Sequence, residues 1–283
     1  MTNKDCRNNV EVTHTLFSDL GFLVHPDKSV FIPQHEIVFL GYLLNSLTMT
    51  ISLTPEKINN FLEFEKQFKL ALKYTIRQIV KLVGMLIAYS VAIPLGMLYT
   101  RVIERNKANA WNFDSYMTLS DTAFEDINWW KLNLHKSSPV NRGTPSISLT
   151  TDASFVGWGT EFNGQSTGGN WSLSELETAN INFLELQTVY LGLGCFLEEL
   201  YDKHVKICSD NSTAVAYINN FGGTKYMSCN FKARQIWELV ISKHIWITAV
   251  HLPGVDNVTA DKESRIIRDE TEWSLNSIFF YKI

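Results

Sequence analysis

The 283-residue sequence has few of the features that mark common protein classes. Its four cysteines have no paired metal-ligand spacing and no clustered histidines, which excludes a zinc site and a disulfide framework. The longest apolar run, residues 87–98, is interrupted by Ser90 and Pro94 and is too short to span a membrane. A net charge of only -4 excludes bulk electrostatic attraction to nucleic acid. We therefore expect an intracellular protein, cytoplasmic or nuclear, without a membrane segment.

The composition provides for buried cores, because 45% of the residues are hydrophobic and 12% are aromatic. The length predicts about two domains. A cluster of Pro, Gly and Asn in residues 137–145 is the strongest candidate boundary, and we place the division near Pro145. The region before this division is slightly basic and the region after it is acidic.

The stretch SLTTDASFVGWG, residues 148–159, predicts two strands in a hairpin around Asp152. Gly157 and Gly159 flank Trp158, and glycine inside a strand indicates either a bulge or a place where another part of the molecule approaches the backbone closely. Asp152 alone is also compatible with a turn former that bonds a nearby amide.

Three more acids follow in the C-terminal half. Glu185 lies on a predicted helix, residues 181–200, and shares a face with Val189 and Leu193. The strand HVKICSD ends in Asp210, and the last predicted helix carries Asp261. Each of these three acids is also compatible with a purely structural role. Glu185 suits a position at the helix margin, Asp210 suits an N-cap, and Asp261 suits an ion pair with the residue four positions later.

Taken together, the four acids predict a metal site. Carboxylates that converge without partners repel one another, and two shared divalent cations neutralise them. Two such ions serve phosphodiester hydrolysis, in which one activates water and the other stabilises the leaving oxygen.

These motifs, TDASFVGWG, NFLELQTV, CSDNSTAVAYIN and HLPGVDNVTADKESR, resemble the acid-bearing motifs of the RNase H domain of retroelement reverse transcriptases, most closely those of DIRS-type (tyrosine-recombinase) retrotransposons. The resemblance implies an α/β fold with a mixed five-stranded sheet flanked by helices. It implies two Mg²⁺ ions, replaceable by Mn²⁺, an RNA–DNA hybrid as substrate and no small-molecule cofactor. The implied metal ligands and catalytic acids are Asp152, Glu185, Asp210 and Asp261, and His251 stands at the position of a mobile catalytic histidine.

The first half resembles the end of a reverse transcriptase palm in LGFLVHPDKS and VFLGYLL, for which short strands are predicted in residues 16–32 and 35–46. Helices predicted from Thr54 and over residues 75–92 suit a thumb or a plain helical hairpin. The sequence lacks the adjacent aspartate pair of the polymerase site, so it is not expected to polymerise DNA without the missing polymerase portion. We expect a C-terminal fragment or the product of a decayed element. The predicted segments are a palm remnant (1–57), a thumb-like region (58–110), a connection (111–146), the RNase H domain (147–268) and a tail (269–283).

Basic and amide side chains offer candidate nucleic-acid contacts, namely Lys225, Lys232, Arg234 and Asn211, although a solvated helix face is an equally good interpretation. His251 is also compatible with a structural loop residue. Two other functions compete with hydrolysis of the RNA strand. A non-catalytic RNase H-like scaffold would lack the acids, and a transposase or integrase would have a different acid spacing from the NVTAD ending found here.

Overall fold

The computed structural model describes residues 2–108, 112–178 and 180–268. None of the helices in these ranges is both long and apolar enough to cross a membrane. The helices are α1 (Asn3–Asp19), α2 (Pro55–Glu65), α3 (Ile76–Tyr89), α4 (Arg101–Ala108), α5 (Asp121–Asn133), α6 (Leu173–Thr178), α7 (Ile181–Cys195), α8 (Ser212–Asn219), α9 (Met227–Ser242) and α10 (Val258–Ser264). The strands are β1 (Glu36–Phe39), β2 (Tyr42–Asn45), β3 (Thr50–Leu53), β4 (Lys73–Thr75), β5 (Tyr116–Thr118), β6 (Ser137–Pro139), β7 (Ile147–Ala153), β8 (Gly157–Phe162), β9 (Gln165–Asn170), β10 (His204–Ser209) and β11 (Trp246–His251).

The N-terminal half contains an antiparallel sheet of order β1-β2-β3-β6 beside helices α2 to α5. The predicted hairpin in residues 35–46 is confirmed, with Leu40 and Gly41 at positive φ in a two-residue turn between β1 and β2. The predicted helix starts are confirmed as well, because Thr54 and Thr75 cap α2 and α3 through their side chains.

The expectation of strands in residues 16–32 is wrong. Residues 16–19 form the last turn of α1, and residues 22–32 contain no strand. A capping box closes the first turn of α1, since Thr2 Oγ1 accepts from the Asp5 amide and the Asp5 carboxylate accepts from the Thr2 amide. The apolar residues that suggested strands pair with no neighbouring strand, and most of their side chains are exposed.

The C-terminal half is built on a mixed five-stranded sheet of order β11-β10-β7-β8-β9. Strands β7, β10 and β11 are parallel, whereas β7, β8 and β9 form an antiparallel meander. Helix α7 packs against β7 and β8, and α10 packs against β7, β8 and β9. The predicted mixed five-stranded sheet flanked by helices is confirmed.

One continuous hydrophobic core runs through both halves, from Leu53 near the end of β3 to Ala249 in β11. The predicted segment boundaries remain predictions. Helix α2 runs across the division after residue 57, and β6, from the predicted connection, pairs with β3. The predicted tail, residues 269–283, lies outside the described residues.

Candidate metal centre

Three carboxylates meet at one edge of the five-stranded sheet. Asp152 lies near the end of β7 and Asp210 directly follows β10, and these parallel neighbours end at the same edge. Glu185 reaches them from α7, whose face with Val189 and Leu193 is buried. One carboxylate oxygen from each of the three acids lies within 4.8 Å of those of the other two.

Two hydrogen-bond donors hold the carboxylate of Asp152. Its Oδ2 accepts from Ser264 Oγ at 2.6 Å, and its Oδ1 accepts from Asn257 Nδ2 at 3.2 Å. The same amide donates to the backbone oxygen of Thr151 at 3.1 Å. Both donors are buried and lie at the two ends of α10. The carboxylate is therefore oriented through both of its oxygens.

Glu185 is a buried acid, and only two long hydrogen bonds compensate for the burial of its carboxylate. Its Oε1 accepts from the Ala153 amide at 3.4 Å and its Oε2 accepts from Ser209 Oγ at 3.3 Å. Burial, together with the charges of Asp152 and Asp210, raises the pKa of Glu185 to about 8. At 2% exposure, Glu185 does not lie at a helix margin, and that alternative is wrong.

The electrostatics of the cluster favour a bound cation. Burial raises the pKa of Asp152 to about 6, aided by the charges of Asp210 and Asp261 and opposed by the hydrogen bond from Ser264. Several carboxylate oxygens within 4.8 Å form a donor set that divalent cations such as Mg²⁺ prefer. The residues present thus fit a divalent cation.

Asp261 lies beside this trio rather than within it. Its Oδ1 accepts from Arg265 Nε at 2.9 Å, so the alternative ion pair with the residue four positions later is present. The Asp261 carboxylate raises the pKa of Arg265, with smaller contributions from Asp152 and Asp210, which places the guanidinium in the field of the whole cluster. A role for Asp261 as a metal ligand remains a prediction. It requires the carboxylate to break its ion pair with Arg265 and to bind a metal ion instead.

Helix α10 reaches the site because the facing strand has no side chain at Gly159. Gly159 pairs with Asp152 across β7 and β8. A Cβ built at Gly159 would lie 2.2 Å from the Ala260 oxygen and 2.7 Å from the Ser264 amide nitrogen. The expectation of a close backbone approach at this glycine is confirmed, and the approaching element is the helix that carries Asp261.

His251 ends β11, opposite Ser209 in the parallel register, and its side chain is exposed. The turn that follows lies against the metal centre, since a Cβ built at Gly254 would be 3.2 Å from Asp210 Oδ2. Among the described residues, no hydrogen-bond partner holds the His251 ring. A catalytic role for His251 remains a prediction.

The predicted contact of Arg234 with nucleic acid is corrected by the structure. Its Nη2 donates to Asp126 Oδ1 at 2.8 Å and to the Leu98 oxygen at 3.2 Å, and the side chain is 14% exposed. The guanidinium also lies over the ring of Tyr99. Arg234 therefore joins α9 to the N-terminal half and is not available to a phosphate.

The other predicted contacts with nucleic acid remain predictions. Lys225 is exposed, and Lys232 is half-buried over the ring of Tyr190. Asn211 caps α8 through its side chain and also donates to Asn182 Oδ1 at 3.1 Å. Because Asn211 is the N-cap, the alternative that gave this role to Asp210 is wrong.

Sequence reasoning missed Ser264 and Asn257 as partners of Asp152. Asn257 stands in the NVTAD segment, so its position near the last acid was visible in the sequence. Nothing local distinguishes Ser264 from the other serines, since its partner lies 112 residues away. Only the packing of α10 on the sheet brings these groups together.

No known family model matches the chain, and no curated protein does. Among solved structures, RNase H1 from Halobacterium salinarum NRC-1 is 17% identical over 41% of this chain and 92% of its own, with a TM-score of 0.34. LC11-RNase H1 in complex with an RNA/DNA hybrid gives 17% identity, 41% and 92% coverage and a TM-score of 0.35. The foamy viral protease-reverse transcriptase in complex with an RNA/DNA hybrid is 13% identical, with a TM-score of 0.43. That alignment covers 98% of this chain but only 37% of the viral one.

Proposed function

We propose that residues 147–268 form a metal-dependent endonuclease that hydrolyses the RNA strand of RNA–DNA hybrids. One observation carries the proposal, which is the convergence of Asp152, Glu185 and Asp210 within 4.8 Å at the edge of an RNase H-like sheet. A non-catalytic scaffold gains nothing from two buried acids whose pKa values are raised, because their burial destabilises the fold unless a cation neutralises them.

Two Mg²⁺ ions, replaceable by Mn²⁺, suit the donor set if Asp261 completes it. When bound, such ions activate a water and stabilise the leaving oxygen of the phosphodiester. The protein's contribution is orientation. Ser264 and Asn257 hold Asp152, while Ser209 and the Ala153 amide hold Glu185. We assign to His251 the transfer of a proton at the departing oxygen; support comes from the turn that follows it, in which Gly254 lies against Asp210.

Substrate recognition would depend on shape and on ribose contacts. The 2′-hydroxyl distinguishes RNA from DNA, and the amides of Asn211 and Asn182 lie beside the metal centre as possible partners for it. Lys225 and Lys232 would contact phosphates. We further propose that the chain is the C-terminal part of a DIRS-type retrotransposon reverse transcriptase, a partner of its missing polymerase portion.

The test is cleavage of an end-labelled hybrid by the full chain with Mg²⁺ or Mn²⁺. We expect cuts within the RNA strand, no cuts in single-stranded RNA and no primer extension. Asp210→Asn should reduce the rate at least about 100-fold, because the ions lose a charged ligand. The matched control is Asp202→Asn, on an exposed turn at φ 56° that asparagine tolerates. Undiminished cleavage by Asp210→Asn would overturn the assignment of Asp210 as a metal ligand, and no cleavage by the parent would support the non-catalytic scaffold instead.

A further inference from the structure

A cavity of about 320 Å³ lies where the N-terminal half meets the C-terminal sheet; we call it the interface cavity. It is remote from the metal centre, because Trp246 lines it at the start of β11 and His251 ends the same strand, roughly 16 Å away. Its walls are mainly apolar and include Pro94, Leu95, Met97 and Phe221. Volume and lining are those of a site for a small ligand.

One polar side chain of the interface cavity, Ser90, donates to the Ile87 oxygen at 2.7 Å. Its other polar side-chain groups are the guanidinium of Arg142, the hydroxyl of Ser138 and the indole N–H of Trp246. Within the part of the chain that the structure describes, none of these three groups has a hydrogen-bond or ion-pair partner, and no Asp or Glu lines the cavity. Such a lining favours an acceptor-rich, negatively charged ligand.

Arg142 is the centre of this arrangement. Its guanidinium carbon lies 3.5 Å from the centre of the Trp246 ring, so one face is covered while the N–H edges stay free. Burial lowers the pKa of Arg142 to about 10, and the group remains charged at neutral pH. A half-buried cation without a counter-charge is costly, and a bound anion offsets that cost.

Two residues that line the interface cavity, Leu95 and Phe221, have left-handed backbone conformations, with φ of 66° and 52°. Packing maintains the strain of this conformation in a residue other than glycine.

We propose that the interface cavity binds a small organic anion, a flat apolar body that carries one phosphate or carboxylate group. The head group accepts from Arg142 and Ser138, and the body lies among Leu95, Met97 and Phe221. This site is separate from the proposed nuclease function, and its test does not depend on catalysis.

The experiment is isothermal titration calorimetry on the full chain with four probes. 1-Naphthyl phosphate and 2-naphthoate combine an anionic head with a flat body, whereas inorganic phosphate and 1-naphthol each lack one part. We expect at least one of the first two to bind with a Kd on the order of 0.1 to 1 mM, as a ligand of roughly 15 non-hydrogen atoms allows. Phosphate and naphthol should bind at least about 10-fold more weakly.

Two variants locate the binding. Arg142→Gln removes the charge, and Val91→Trp fills the mouth from an exposed position while it keeps Arg142. Each should weaken binding at least about 10-fold, the loss expected for one charged contact. The matched control is Arg77→Gln, an exposed arginine paired with Asp114 outside the cavity, which should bind like the parent.

Equal binding of naphthol and naphthyl phosphate would overturn the anion assignment. Unchanged affinity in both cavity variants would overturn the site. It would also be overturned if no probe bound the parent at about 5 mM, which is 5-fold above the expected range of Kd. Hybrid cleavage by Arg142→Gln serves as a separate readout and should equal that of the parent, so failure here is distinguishable from failure of the nuclease assignment.

Discussion

Helices α1 and α7 have similar lengths, 17 and 15 residues, and opposite relations to the rest of the molecule. Helix α1 has no buried residue and is closed by its own capping box. Helix α7 buries seven residues, including Glu185, against the sheet. Helix α1 therefore depends on local interactions, whereas α7 depends on tertiary packing strong enough to hold a carboxylate out of water.

Matched leucine truncations should separate the two helices most clearly. Leu193→Ala on α7 should lower the free energy of unfolding by about 2–5 kcal/mol, because the side chain is fully buried and leaves a cavity. Leu16→Ala on α1, where the leucine is 53% exposed, should change it by less than about 0.5 kcal/mol. Urea denaturation measures both values, and equal losses would contradict the comparison.

The pH dependence of stability should also differ. The folded-state pKa of Glu185 is about 8 and exceeds the ordinary value of 4.5, so the folded state binds the proton more tightly. The stability of the metal-free protein should therefore be highest below about pH 4.5 with respect to this group and fall as the pH rises towards 8.

Glu185→Gln cannot ionise and should be more stable than the parent at pH 8 by about 4 kcal/mol, the free energy that corresponds to a pKa raised from 4.5 to about 8. Glu11→Gln on exposed α1 should follow the parent curve. Urea denaturation with EDTA at several pH values provides the measurement. If the free energy of unfolding fell equally with pH in the parent and in Glu185→Gln, Glu185 would be excluded as the source of the pH dependence.

Removing one donor to Asp152 should weaken metal binding. Ser264→Ala leaves Oδ2 without its 2.6 Å bond, and loss of such a supporting partner typically costs about 10- to 100-fold in metal affinity. Ser18→Ala, which removes a local side-chain bond at the end of α1, should leave affinity unchanged. Calorimetric titration with Mn²⁺ compares the variants, and a Ser264→Ala affinity equal to the parent's would exclude this positioning role.

The smallest effect is expected at the N-terminus. Thr2→Ala removes the cap of α1, which should reduce its local stability by about 1 kcal/mol. Amide exchange should quicken in α1 alone, because no buried contact transmits the change to the sheet. Faster exchange in α7 of the same variant would show that the two helices are coupled.

The sequence predicts best where a local pattern and a tertiary constraint agree. The strand before Asp152, the helix of Glu185 and the strand before Asp210 carry their periodicity because one face of each is buried. The error at residues 16–32 has the opposite cause, since those apolar residues contact one another and α1, as in the Phe17–Phe22 and His14–Phe31 ring pairs, and most of them stay exposed. Arg234 was misassigned because its partner, Asp126, lies 108 residues earlier in the chain.

The last residues of the metal centre could not be predicted for a related reason. The pairing of Ser264 with Asp152 follows from how α10 sits on Gly159, a contact that no local pattern encodes. The glycine itself indicated that some element would come close. Which element it would be, and which of its side chains would face the acid, depended on the whole sheet.

The position of Ser264 late in the chain also determines when the metal centre can be completed during synthesis. Asp152 leaves the ribosome 112 residues before the donor of its strongest hydrogen bond, which at roughly 5–20 residues per second is about 6 to 22 s. During that interval β7, β8 and β10 can pair, but the carboxylate of Asp152 is held by neither Asn257 nor Ser264. A chain interrupted before α10 would carry three of the four acids and an unfinished metal centre, so we expect the site to be completed only as translation reaches this helix.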